Sequence, residues 1–128
     1  MTASSERWRE WTLRGLVVTQ LRFNYAFSVH LWSFERGLFL QLASPFEVHP
    51  DRGAAWRVDP QDTAALAPLL ALLHQPGEAF RISSADRCVL RMQSGMELHA
   101  APHPWFEAWA ASGKGALADA SWVAVPRG

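Results

Sequence analysis

The chain has 128 residues, 49% of them hydrophobic, and its 12 lysines and arginines balance 12 aspartates and glutamates for a formal net charge of +0 and a pI near 7.0. That length makes one domain able to build a core, and the composition excludes a disordered chain. The charge balance excludes the basic surplus on which general nucleic-acid binding rests.

Residues 1–14 read as an N-terminal arm or a short helix, with Ser4 or Ser5 as cap and Trp8 and Trp11 three apart. Residues 15–128 read as a single α+β domain. The first sheet region alternates with period 2 at Val17, Thr19, Leu21, Phe23, Tyr25, Phe27, Val29 and Leu31. So long a run must bend or bulge, near Asn24. The parity then switches to Leu38, Leu40, Leu42, Phe46 and Val48. A turn made of Phe34-Glu35-Arg36-Gly37 reconciles the two sets, pairing Leu31 with Leu40 and Val29 with Leu42, with Gly37 at positive φ. Pro45 implies an edge or a bulge. Trp56 and Val58 face inward with Phe46 and Val48.

The stretch from Asp59 to His74 carries the helical signal. Leu66, Leu69, Leu70 and Leu73 fall at i, i+3, i+4 and i+7. Asp59 serves as cap, Pro60 as first helical residue, and Gln75-Pro76-Gly77 as stop. Pro68 is the flaw, because it lacks an N–H and clashes one turn back; the helix kinks or begins in earnest there.

After the helix, Phe80 and Ile82 lie in a strand, and Ser84-Ala85-Asp86-Arg87 turns the chain. Cys88, Leu90 and Met92 share one face, and Met96, Leu98 and Ala100 share the next. A three-residue loop with Gly95 left-handed pairs Met92 with Met96, Leu90 with Leu98 and Cys88 with Ala100, and sets Arg91 beside Glu97. Trp105 to Gly113 fits either a short helix or a strand. Ala120 to Val125 reads as a last strand. The fold class is therefore α+β: a bent, mainly antiparallel sheet of about seven strands packed on one principal α-helix at residues 61–75.

No strong catalytic motif is present. Cys88, the single cysteine, excludes an internal disulfide framework and sits on an apolar strand face, where a thiol is inert core. His99 and His103 are four apart, but prolines intervene and the five histidines show no metal-ligand spacing, so neither a metal nor a cofactor is expected. Glu107 stands between Trp105 and Trp109. An acid flanked by aromatics can act as a general acid, with Asp86, Glu97 or Asp119 as partners by elimination. The alternative is that Glu107 bonds a backbone amide or an indole N–H and fixes a corner.

Pro45-Phe46 after a strand, Asp59-Pro60 before the leucine-rich helix, Ser94-Gly95 in a late hairpin, Glu107-Ala108-Trp109 and a terminal Pro126-Arg127-Gly128 together resemble an uncharacterised family of small bacterial proteins. That family carries a Glu-Ala-Trp signature and a Pro-Gly-Gly near its end; this chain departs from it at Arg127. The resemblance implies a fold and no chemistry. By size and plan such proteins are also similar to immunity proteins of bacterial toxin systems, an analogy of architecture.

Seven tryptophans exceed what one core of this size commonly needs, and exposed ones mark contact surfaces. The expected function is accordingly a non-enzymatic protein-binding module, with an immunity protein neutralising a toxin as its sharpest form. Its binding candidates are Trp105, Phe106, Glu107, Trp109, His99 and His103. The alternatives are a small-molecule or hydrolytic pocket using Glu107 and a histidine, and a structural homodimer. The expected partner is a protein, with no nucleic acid and no membrane. No signal-like or membrane-spanning run is evident, and the expected compartment is the cytoplasm.

Overall fold

The computed structural model describes residues 5–126; the Ser4 cap and the last two residues of the Pro126-Arg127-Gly128 motif lie outside the described residues. In chain order the strands are β1 (Trp8–Thr12), β2 (Val17–Asn24), β3 (Ala26–Ser33), β4 (Arg36–Leu42), β5 (Phe46–His49) and β6 (Trp56–Val58). They continue with β7 (Gly77–Ser83), β8 (Cys88–Met92), β9 (Glu97–Ala100), β10 (Trp109–Lys114) and β11 (Trp122–Val123). They form two antiparallel sheets, ordered β1-β7-β8-β9-β5-β6 and β11-β10-β4-β3-β2. The sheets share one core. Phe27 of the second sheet stacks on Phe46 of the first at 5.8 Å, and Phe80 meets Trp109 edge-on at 6.5 Å.

This overturns the α+β expectation: the molecule is mostly β, and the second sheet does the covering assigned to a helix at 61–75. The reason lies at Pro68. Helix α1 (Thr63–Leu66) is a single turn, capped by Asp62, whose carboxylate accepts from the Ala64 and Ala65 N–H groups. Asp59 instead accepts from the Gln61 N–H in the preceding turn. Pro68 cannot return a bond to the carbonyl one turn back, and the chain winds on as a tighter 3-10 helix, Ala67–Leu72. With three residues per turn the apolar stripe becomes Leu66, Leu69 and Leu72, all buried, while Leu70 is 57% and Leu73 40% exposed. At the start of the segment, Pro60, Gln61 and Thr63 line a surface depression together with Phe23 and Tyr25 of the β2–β3 hairpin.

The segment read as an arm or short helix contains β1, which pairs with β7 through Trp11↔Phe80 and buries Trp11. Trp8 and Trp11, three apart on a strand, point to opposite faces. The long alternation from Val17 is a hairpin and not one bent strand. It reverses at Tyr25, which holds φ 59, and a bulge between Val18 and Gln20 shifts the inward position from Val17 to Val18.

The β3–β4 turn is Phe34-Glu35, two residues shorter than expected. It pairs Leu31 with Leu38 and Val29 with Leu40, a slip of two that leaves parity, and so leucine burial, intact. Phe34, at φ 32, takes the left-handed position. Gly37 serves close approach instead: a Cβ there would lie 2.2 Å from Trp32 Cε3, so the indole lies against its backbone.

The β8–β9 hairpin has the expected register. Gly95 holds φ 99, the Met92 N–H donates to the Met96 carbonyl at 2.9 Å, and Leu90 faces Leu98. Arg91 and Glu97 approach to 3.7 Å. At β5–β6, Phe46 faces Val58 and Val48 faces Trp56, but Trp56 is on the sheet edge and partly exposed. The last strand, expected over 120–125, is the short β11.

Candidate functional site

The chain crosses between the two sheets three times, after β1, after β4 and after β9, and the last two crossovers lie side by side. The Ala43 and Ser44 N–H groups, between β4 and β5, both donate to the Ala108 carbonyl, between β9 and β10, at 2.8 and 3.3 Å. This pins the C-terminal end of the loop 101–108.

Beyond the pin, the ambiguous segment becomes strand β10, and Trp109 is fully buried at its start. Its indole N–H donates to the Asp86 carbonyl at 2.8 Å. Asp86 sits at φ 58 in the β7–β8 turn, and its carboxylate accepts from the Trp122 indole at 3.0 Å. One buried turn residue therefore receives two indoles, one on its backbone and one on its side chain. A third indole, Trp11, donates to Asp119 at 2.9 Å, and Arg9 reaches the same carboxylate at 2.8 Å. These two bonds hold the Asp119 carboxyl below its ordinary range.

Before the pin the loop turns outward. Trp105 is 80% and Phe106 45% exposed, and Glu107 is exposed with them. The His103 ring stacks on Phe106 at 3.7 Å, and its Nδ1 accepts the Trp105 N–H at 3.1 Å. An accepting Nδ1 places the proton of the neutral imidazole on Nε2. Pro102 and Pro104 flank His103 and restrict the backbone on both sides. Of the two tryptophans that flank Glu107, Trp109 gives its indole N–H to the Asp86 carbonyl.

His99 stands apart from this loop, on β9. Its ring stacks on His49 of β5 at 3.9 Å. His99 Nε2 lies 2.8 Å from Glu97, and His49 Nε2 lies 2.9 Å from Glu47. Glu47 faces His99 and His49 faces Glu97 across the strand pair, so the four side chains form a square. The hydrogen bond from His49 holds the Glu47 carboxyl below its ordinary value. The sequence reading missed this square, although two copies of Glu-x-His on strands, Glu47-Val48-His49 and Glu97-Leu98-His99, announce it. A groove of about 240 Å³ beside it is lined by Trp8, Val89, Arg57, Arg87, Glu47 and His99 among others, but not by Glu107 or His103. Burial pushes the neighbouring Cys88 thiol up, well away from thiolate reactivity. Ser83 Oγ accepts from the Ala85 and Arg87 N–H groups as a turn support. Among the described residues no group of three or more His, Cys, Asp or Glu side chains is arranged to hold a metal ion, the histidine square included, and no helix is long and apolar enough to cross a membrane.

The match that places the chain runs over residues 9–128, to DUF6188, a family of unknown function. The chain belongs to that family. No curated protein and no solved structure matches it. The family match covers both sheets, the pinned loop and the histidine square, and leaves their role to be argued from the geometry.

Proposed function

We propose that the protein is a protein-binding module whose contact point is the loop 103–107. One observation carries this: Trp105 stands 80% exposed on a stiffened loop whose neighbour Trp109 is locked in the core. An exposed indole ordinarily costs free energy in water, and burying it against a partner recovers that cost. The prolines, the His103–Phe106 stack and the Ala108 pin restrict the loop's freedom. Little ordering entropy then remains to be lost on binding. Nothing on the surface singles out a toxin as the partner, so the proposal stops at a protein.

The pocket reading needs Glu107 and a histidine on one cavity wall, and the groove beside His99 has no Glu107. The test is capture from the source cell with wild-type protein and with Trp105→Ala as parallel baits. A partner retained by the first and lost by the second supports the reading. A partner held equally by both would move the contact elsewhere.

A further inference from the structure

A net charge of zero averages over surfaces that differ. Strands β2, β3, β4 and β10 contain no aspartate or glutamate, whereas the first sheet holds Glu10, Glu47, Glu78 and Glu97. The strands of the second sheet therefore present cations without anions, and Glu35 in the β3–β4 turn, beside Gly115, is the acidic residue that borders them. Arg22 on β2 and Lys114 on β10, both exposed, stand on either side of the sheet's outward face.

Between them lie three rings. Trp32 lies against Gly37, which has no Cβ to lift the indole off the sheet. Lys114 Nζ sits 5.8 Å from the centroid of that indole. His30 stands edge-on to Trp32 at 6.0 Å and to Phe39 at 5.9 Å. All three rings are partly exposed. The field they sit in is positive: His30 is held below its ordinary pKa by partial burial first, and then by Arg22 and Lys114.

We propose that this face binds single-stranded nucleic acid, with bases stacking on Trp32 and Phe39 and phosphates meeting Arg22 and Lys114. An acidic peptide would complement the charge but not the rings. Unpaired bases supply planar faces and regular negative charge together, and aromatic residues on an open sheet are a sequence-tolerant platform for them. With two principal cations the binding is modest and salt-dependent. At about −0.7 per phosphate contact, affinity for a single strand falls about sevenfold between 50 and 200 mM salt. The face uses residues separate from the loop 103–107, so this inference stands or falls independently of the protein-binding reading.

The experiment titrates a labelled twelve-nucleotide oligothymidylate with the whole protein in 50 mM salt and follows anisotropy and tryptophan quenching. Binding is expected in the micromolar range, weakened about tenfold or more by Trp32→Ala and restored largely by Trp32→Phe. Arg22→Glu and Lys114→Glu, both at exposed positions, should each weaken it with no change in melting temperature; they decide the matter if Trp32→Ala fails to fold. Three results would overturn the proposal: no binding at 50 mM salt, binding indifferent to all four variants, or displacement by polyglutamate of equal length as readily as by unlabelled oligonucleotide. The last would make the face a site for acidic protein.

Discussion

Leu70 and Leu72 are two residues apart on one short segment, and their alanine variants distinguish its two possible windings. An α-helix through Pro68 buries Leu70 and Leu73; the 3-10 winding buries Leu69 and Leu72. Leu72 is fully buried, so Leu72→Ala removes its transfer free energy and leaves a void, about 2–5 kcal/mol in all. Leu70 is 57% exposed, so less than half of a transfer value of roughly 2 kcal/mol is realised. Alanine's better helix propensity returns a few tenths of that. Leu70→Ala should therefore cost under about 1 kcal/mol. For a domain of this length, 1 kcal/mol corresponds to roughly 4 °C in melting temperature. Calorimetric melts should then show Leu72→Ala down by about 8–20 °C and Leu70→Ala by less than about 4 °C. Losses at Leu70 and Leu73 that exceed the loss at Leu72 would refute the 3-10 geometry and restore a continuous α-helix.

Trp109→Phe should lower stability by about 2–4 kcal/mol in urea unfolding, since it opens a small void and leaves the buried Asp86 carbonyl without its indole donor; a loss under about 1 kcal/mol would mean that bond contributes nothing. Asp119 has a lower pKa folded than unfolded, so its contribution to stability is complete above the unfolded value and is lost as pH falls through the folded one. Asp119→Asn should accordingly be less stable at neutral pH and lose less on acidification below the ordinary carboxylate range, as read by melts across that range; a wild-type acid limb in the variant would contradict this. Gly37→Ala places a methyl group 2.2 Å from the Trp32 ring, so the indole must swing off the sheet. A changed tryptophan emission spectrum with a modest stability loss is expected, and an unchanged spectrum would contradict the packing.

Much of the sheet structure was legible because parity is a strong constraint. Cys88, Leu90 and Met92 admit one register against Met96, Leu98 and Ala100 if the leucines are to stay dry, and that register is observed. Parity is blind to slips of two, and the β3–β4 turn slipped by two because nothing in the residue type of Phe34 announces φ 32. The helix is hard to read because Leu66 and Leu69 satisfy periods of 3.6 and 3.0 alike, and only Pro68, which withholds the bond one turn back, separates the two windings. Strand β1 stayed hidden because Trp8 and Trp11 suggest a helix face, while on a strand one covers the core and the other the outer surface. With the helix overestimated and β1 unseen, the strands were laid in one sheet and not two. At the candidate site, Trp105 and Trp109 were named together, and the structure assigns them opposite surroundings. His99 and His103, four apart in sequence, belong to different neighbourhoods because β9 ends between them.

The central claim is that Trp105 contributes to binding and not to folding. The most direct measurement is a calorimetric titration of the captured partner into wild type and into Trp105→Ala, with a melt of each protein in the same buffer. An aromatic anchor at an interface centre is worth about 2 kcal/mol or more, roughly thirtyfold in affinity. The account predicts a loss of at least that size with melting temperatures within about 2 °C of each other. An affinity unchanged by Trp105→Ala, or a melting temperature that falls as far as it does for a buried tryptophan, would contradict it.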